Sequence, residues 1–102
     1  KPHVYLLHFR QPIGNLANPR GQAQHYIGFS NNLDERIWLH RQGDPASSKL
    51  CAHAAKIGIR FIVAEVWQGS FDLEKALKRR KRAADFCPIC QQKRRQNQQG
   101  LN

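Results

Sequence analysis

Apolar residues along this chain come in blocks whose spacing shifts between a two-residue and a 3.6-residue repeat. Val4 to Arg10 is a run of aliphatic, β-branched and aromatic residues, which predicts a strand. Gln11 to Gln22 carries Pro12, Gly14, Asn15, Asn18, Pro19 and Gly21, the residues of a loop. Gln24 to Phe29 resumes as a second strand, and successive strands most often pair, here as a hairpin with a long connection. A helix follows from about Leu33 to Arg41, with Asn32 and Glu35 spaced as a capping box and Gly43 as its stop. A second helix starts at Asp44-Pro45 or at Ser47 or Ser48, carries an apolar stripe of Leu50, Ala54 and Ile57, and closes at Gly58. Ile59 to Trp67 is apolar on both faces apart from Arg60 and Glu65, which suits a central strand. After Gly69 and Ser70, a third helix from about Phe71 to Ala84 turns Leu73, Leu77 and Ala84 to the core, and Cys87-Pro88-Ile89-Cys90 ends it. The order is β-β-α-α-β-α, an α/β fold with a small mixed three-stranded sheet flanked by helices.

The 102 residues suffice for one small domain over positions 1–90. Positions 91–102 are rich in Gln, Asn and basic residues, which predicts a disordered tail. No apolar run is long enough to span a bilayer, so no membrane partner is expected. Three cysteines do not make an even disulfide framework, and reduced thiols point to a cytoplasmic setting.

Charge changes the picture more than size does. The formal net charge is +10 and the pI about 10.3, which argues for a polyanionic partner, nucleic acid first and an acidic membrane surface second. Nine of the 17 Lys and Arg lie after Glu74, where Asp85 is the only acid. Arg41, Lys78, Arg79, Arg80, Lys81 and Arg82 are the candidate nucleic-acid contacts.

The candidate chemistry lies between Tyr26 and His40. A strand ending in Tyr26-Ile27-Gly28 runs through a capped turn into a helix that carries Arg36 and His40 four residues apart, on one face. Tyrosine, arginine and histidine together can hold a phosphate and move a proton. Tyr26-Ile27-Gly28, the extension Ser30-x-Asn32-Leu33-x-x-Arg36 and an earlier Val4-Tyr5 together resemble the GIY-YIG nuclease superfamily, over about Val4 to Cys90. His3 stands where that family usually has glycine.

The resemblance implies a metal-dependent DNA endonuclease in a bacterial or phage-type setting. Tyr5 and Tyr26 would flank the attacking water, with the choice of general base open, and Arg36 would hold the phosphate beside His40. Glu74, in Leu73-Glu74-Lys75-Ala76-Leu77-Lys78, would be the metal ligand. A rival register keyed on an Ala-Leu pair puts Arg80 in that place; Glu74 is preferred as the only acid after Asp72 in the first two turns. One carboxylate plus waters suits Mg²⁺ or Mn²⁺. DNA, branched or nicked, is the implied partner, with a further targeting domain or protein for specificity. The runner-up function is a nucleic-acid-binding module of the same fold without catalysis.

Cys87 and Cys90 have the spacing of half a zinc site. The paired candidates to complete it, Cys51 and His53, project from different sides of one helix. Zinc there is therefore the less favoured reading, and a buried cysteine pair the favoured one.

Overall fold

A computed structural model describes residues 2–14, 22–44, 46, 48–80 and 83–100. The elements are β1 (His3–Gly14), β2 (Gln22–Ser30), α1 (Leu33–Gln42), α2 (Lys49–Lys56), β3 (Phe61–Gln68), α3 (Phe71–Arg79), a 3-10 turn (Ala83–Phe86) and α4 (Pro88–Gly100). The strands form one sheet in the order β2-β1-β3, with both pairings antiparallel. The α/β class holds, but the sheet is not mixed.

The central strand is β1 and not β3. Six consecutive residues of β1, Val4 to Phe9, are buried, whereas Ile62 and Val66 of the edge strand β3 are exposed. Helices cover both faces of the sheet, so the middle strand has no polar face to give to solvent. Alternation along β1 then sorts its side chains between two cores. Tyr5, Leu7, Phe9 and Ile13 pack with Cys51, Ala54 and Phe61 under α1 and α2. Val4 and Leu6 pack with Ile27 and Cys87, against Leu73 and Leu77 of α3 and Ile89 of α4.

Local signals in the sequence are met closely at α1. The Asn32 side chain accepts a hydrogen bond from the Glu35 backbone N–H and donates one from Nδ2 to the Glu35 carboxylate. Gly43 adopts φ 75°, and its N–H bonds back to the carbonyls of His40 and Leu39, closing the helix. Ser48 is the cap of α2, its hydroxyl accepting from the Cys51 N–H.

Four expectations need correction. β1 runs on through Pro12 to Gly14, and Ile13 and Gly14 pair with Ala23 and Gln22, so the connecting loop is shorter than composition suggests. Ile57 lies at the C-terminus of α2 and is half exposed, not part of its buried stripe, which is Cys51 and Ala54 with Leu50 beside them. The third helix stops at Arg79, and the 3-10 turn at Ala83–Phe86 is separate from it. Cys87-Pro88-Ile89-Cys90 begins a helix instead of ending one: Pro88 takes the first helical position, and the Cys87 carbonyl accepts from the Gln91 N–H at 3.0 Å. That helix runs through most of the expected tail, because Gln, Lys and Arg are good helix formers wherever one end is anchored.

Candidate functional site

Register places the aromatic pair. Leu7 pairs with Tyr26 and Tyr5 with Gly28, so Tyr5 and Tyr26 are diagonal neighbours on the α1 face, with ring centroids 6.3 Å apart. Gly28 makes room for this. A Cβ there would lie 2.3 Å from both Cζ and Oη of Tyr5, inside any tolerable contact. The glycine of Tyr26-Ile27-Gly28 is thus needed for close approach of a neighbouring ring, not for an unusual backbone angle.

Helix α1 brings the third ring. His40 is 1% exposed, the one buried side chain of α1. Its Nε2 is 2.6 Å from the Tyr5 hydroxyl, and its ring meets Tyr26 edge-on at 5.3 Å between centroids. Burial, with the Arg36 guanidinium next in effect, pushes the His40 pKa down to about 4. Burial above all, then the neighbouring Tyr26, raises the Tyr5 pKa well above the ordinary tyrosine range, with Arg36 opposing. A protonated phenol and a neutral imidazole share one hydrogen bond here, with Tyr5 O–H donating to Nε2 when the imidazole hydrogen sits on Nδ1. Tyr26 is likewise raised, chiefly by burial, while a hydrogen bond with the Ser48 side chain opposes the rise.

The remaining predicted residues gather here. Arg36 of α1 and Glu74 of α3 both act electrostatically on Tyr5 and on Tyr26. Glu74 is the one buried side chain of α3, with Lys78 Nζ 3.8 Å from its Oε1. Lys78 also lies over the Tyr26 ring at 6.0 Å. Arg80, which the rival register puts in the carboxylate's place, is exposed beyond the end of α3. Ser48 is the residue that spacing did not reveal; it is legible only as a helix cap.

The basic candidates divide. Lys78 is at the site, and Arg79 at the end of α3 and Arg80 just beyond it are exposed. Arg41 stacks on Phe61 at 4.6 Å and lines a cavity of about 470 Å³ together with His40 and Arg60. Lys81 and Arg82 lie outside the described residues.

On the opposite face of the sheet is a second grouping. His8 and His25 are directly paired across β1 and β2, and α4 delivers Cys87 and Cys90 to them. One ligand atom from each of the four lies within 4.8 Å of all the others. His8 Nδ1 is 3.1 Å from His25 Nε2, 3.6 Å from Cys87 Sγ and 3.8 Å from Cys90 Sγ, and Cys90 Sγ is 3.4 Å from His25 Nε2. Burial lowers both histidines, His25 to about 4, which keeps the imidazoles in their ligating neutral form. The cluster could hold a metal ion, and its nitrogen and sulfur donors are those of a zinc-like ion and not of Mg²⁺.

The partners of Cys87 and Cys90 are therefore histidines on the strands. Cys51 belongs to the other core and His53 is exposed on α2. The available signal was His8 itself: an imidazole inside the apolar run Val4 to Phe9 must find a polar partner when buried.

The site is thus a phenol–imidazole pair under the electrostatic influence of a guanidinium and a carboxylate, and it lies on the other face of the sheet from the His₂Cys₂ cluster. The chain matches no protein-family model, no curated protein and no solved structure. Among the described residues, no helix is long and apolar enough to cross a membrane.

Proposed function

We propose that this chain is a metal-dependent endonuclease of the GIY-YIG type, which hydrolyses phosphodiester bonds in DNA. The observation that carries the reading is the packed group of Tyr5, Tyr26 and His40, with Arg36 and Glu74 acting electrostatically on both tyrosines. The choice of DNA rests on the family resemblance, and the basic surface of α3 supports a polyanionic substrate.

In this mechanism Arg36 forks onto two nonbridging oxygens and fixes the phosphate. The attacking water gives its proton to Tyr5 Oη as the Tyr5 proton passes to His40 Nε2, 2.6 Å away. A phenol alone is a poor base at neutral pH, and the neutral imidazole behind it supplies the missing acceptor. The new P–O bond forms as the bond to the leaving sugar oxygen breaks. Mg²⁺ or Mn²⁺, held through Glu74 and its own waters, would supply charge stabilisation for that oxygen. Zinc is the ion proposed for the His8, His25, Cys87 and Cys90 cluster, apart from the chemistry.

The test is nicking of supercoiled plasmid and cutting of flapped duplexes in Mg²⁺ and in EDTA, wild type against Arg36→Ala. The expected result is cleavage in Mg²⁺ only, reduced about 100-fold or more in the variant. Salt-sensitive binding without cleavage would instead make the chain a binding module.

A further inference from the structure

From the His₂Cys₂ geometry we infer that a single tetrahedral zinc ion, held by His8 Nδ1, His25 Nε2, Cys87 Sγ and Cys90 Sγ, is a structural clasp that fastens helix α4 to the β1–β2 pair. The inference rests on the zinc assignment above and on nothing in the nuclease reading.

The first support is geometric. Zinc bonds of about 2.0–2.3 Å at tetrahedral angles set donor atoms about 3.3–3.8 Å apart. Four of the six donor separations run from 3.1 to 3.8 Å, and the Cys87–Cys90 and Cys87–His25 separations lie within 4.8 Å. The second is a matter of valence. Three neighbours crowd His8 Nδ1: one imidazole nitrogen and two thiols. A ring nitrogen has one hydrogen or one lone pair, so it cannot serve all three, whereas a cation at their centre serves the four donors at once. The four ligands also close the coordination sphere, with no protein position left for a reacting group, as structural sites do.

The third support is the state of α4. Its 13 residues contain few apolar side chains, and Gln91 to Gln96 are all exposed. Among the described side chains of α4, Ile89 and Cys90, with Cys87 just before the helix, join the core beneath the sheet. Gln91 and Arg94 reach back to Asp85 at 2.7 and 3.4 Å, which ties α4 to the preceding 3-10 turn. A solvated helix of this length is marginal by itself, so the order of its exposed turns depends on the anchored first turn. Two of the proposed ligands, Cys87 and Cys90, are that first turn. The clasp fixes where Lys93, Arg94 and Arg95 are presented.

The test uses the full chain. Metal content is measured on protein purified without added zinc, for wild type, Cys90→Ser and Cys51→Ala. Amide hydrogen exchange is then compared for zinc-loaded and chelator-treated wild type. The expected results are one zinc per chain in wild type and in Cys51→Ala, and its loss in Cys90→Ser. On chelation, protection at residues 91–96 should fall at least about tenfold while β1 and β3 change little. Cobalt substitution should give the visible bands of a tetrahedral sulfur-ligated ion. Absence of zinc, with no cobalt spectrum, overturns the metal assignment itself. Zinc bound while residues 91–96 exchange equally with and without it leaves the assignment standing and overturns the clasp. Loss of protection throughout the sheet overturns it too, since the ion would then hold the whole fold and not one helix.

Discussion

Replacing Gly28 with alanine tests the site's packing and its chemistry together. The added Cβ would stand 2.3 Å from Tyr5 Cζ and Oη and 2.8 Å from Cε2. A tolerable carbon contact needs about 3.5 Å, so the ring must move by more than 1 Å. Tyr5 is 1% exposed and lies between Tyr26 and His40, so it has no open side to move into. Overpacking of this kind costs about 1–3 kcal/mol. A shift of that size also stretches the 2.6 Å Tyr5–His40 hydrogen bond beyond usefulness and strands a buried hydroxyl, about 1–3 kcal/mol more. Gly28→Ala should therefore destabilise the fold by about 2–6 kcal/mol in urea denaturation, with the slope on denaturant unchanged. Plasmid nicking should fall even at temperatures where the variant is fully folded. A Gly28→Ala protein within 0.5 kcal/mol of wild type and equally active would refute the account of why glycine stands there.

Other consequences are equally open to measurement. His40 has its pKa held near 4 against 6.5 in the unfolded chain, so the folded state binds the proton less well. Stability should accordingly be full above pH 6.5 and fall by about 3 kcal/mol as pH drops towards 4, and His40→Gln should flatten that part of a denaturation-midpoint-against-pH curve. Ser48→Ala removes the cap of α2 and the partner of Tyr26; a loss of about 1 kcal/mol is expected in thermal melts, and no loss would remove Ser48 from the site's support. Arg79→Ala with Arg80→Ala should shallow the log–log salt dependence of DNA binding by about 2, at roughly 0.9 per phosphate contact; an unchanged slope would turn that face of α3 away from the DNA.

How far the sequence foretells this molecule depends on the range of the interaction. The Asn32–Glu35 box and the Gly43 stop act within a few residues of chain, and both appear as the pattern implies. The sheet order is a long-range outcome. Ile59 to Trp67 is the longer apolar run, broken by Arg60 and Glu65, and His8 breaks Val4 to Phe9, yet β1 takes the middle as the strand with fully buried residues in both cores. His8 misleads in that comparison because its polarity is met by His25, 17 residues on, and by Cys87, 79 residues on. No local spacing rule spans such distances. Cys87-Pro88-Ile89-Cys90 shows half of a metal-binding pattern, and its other half exists only once β1 and β2 are in register. The Tyr5, Tyr26, Arg36 and His40 grouping is legible because a strand, turn and helix in sequence carry three of its four members. Glu74 reaches them only through the packing of α3 beside β2, and Ser48 only through the fold of α2 onto α1.

The most direct test of the proposed nuclease is to follow nicking of supercoiled plasmid by wild type and Glu74→Gln in Mg²⁺, with binding to the same DNA measured alongside. The substitution keeps the size of the side chain and removes the charge that would hold the cation. The account predicts Mg²⁺-dependent nicking by wild type, its near-complete loss in Glu74→Gln, and retained binding. Undiminished nicking by Glu74→Gln would contradict it.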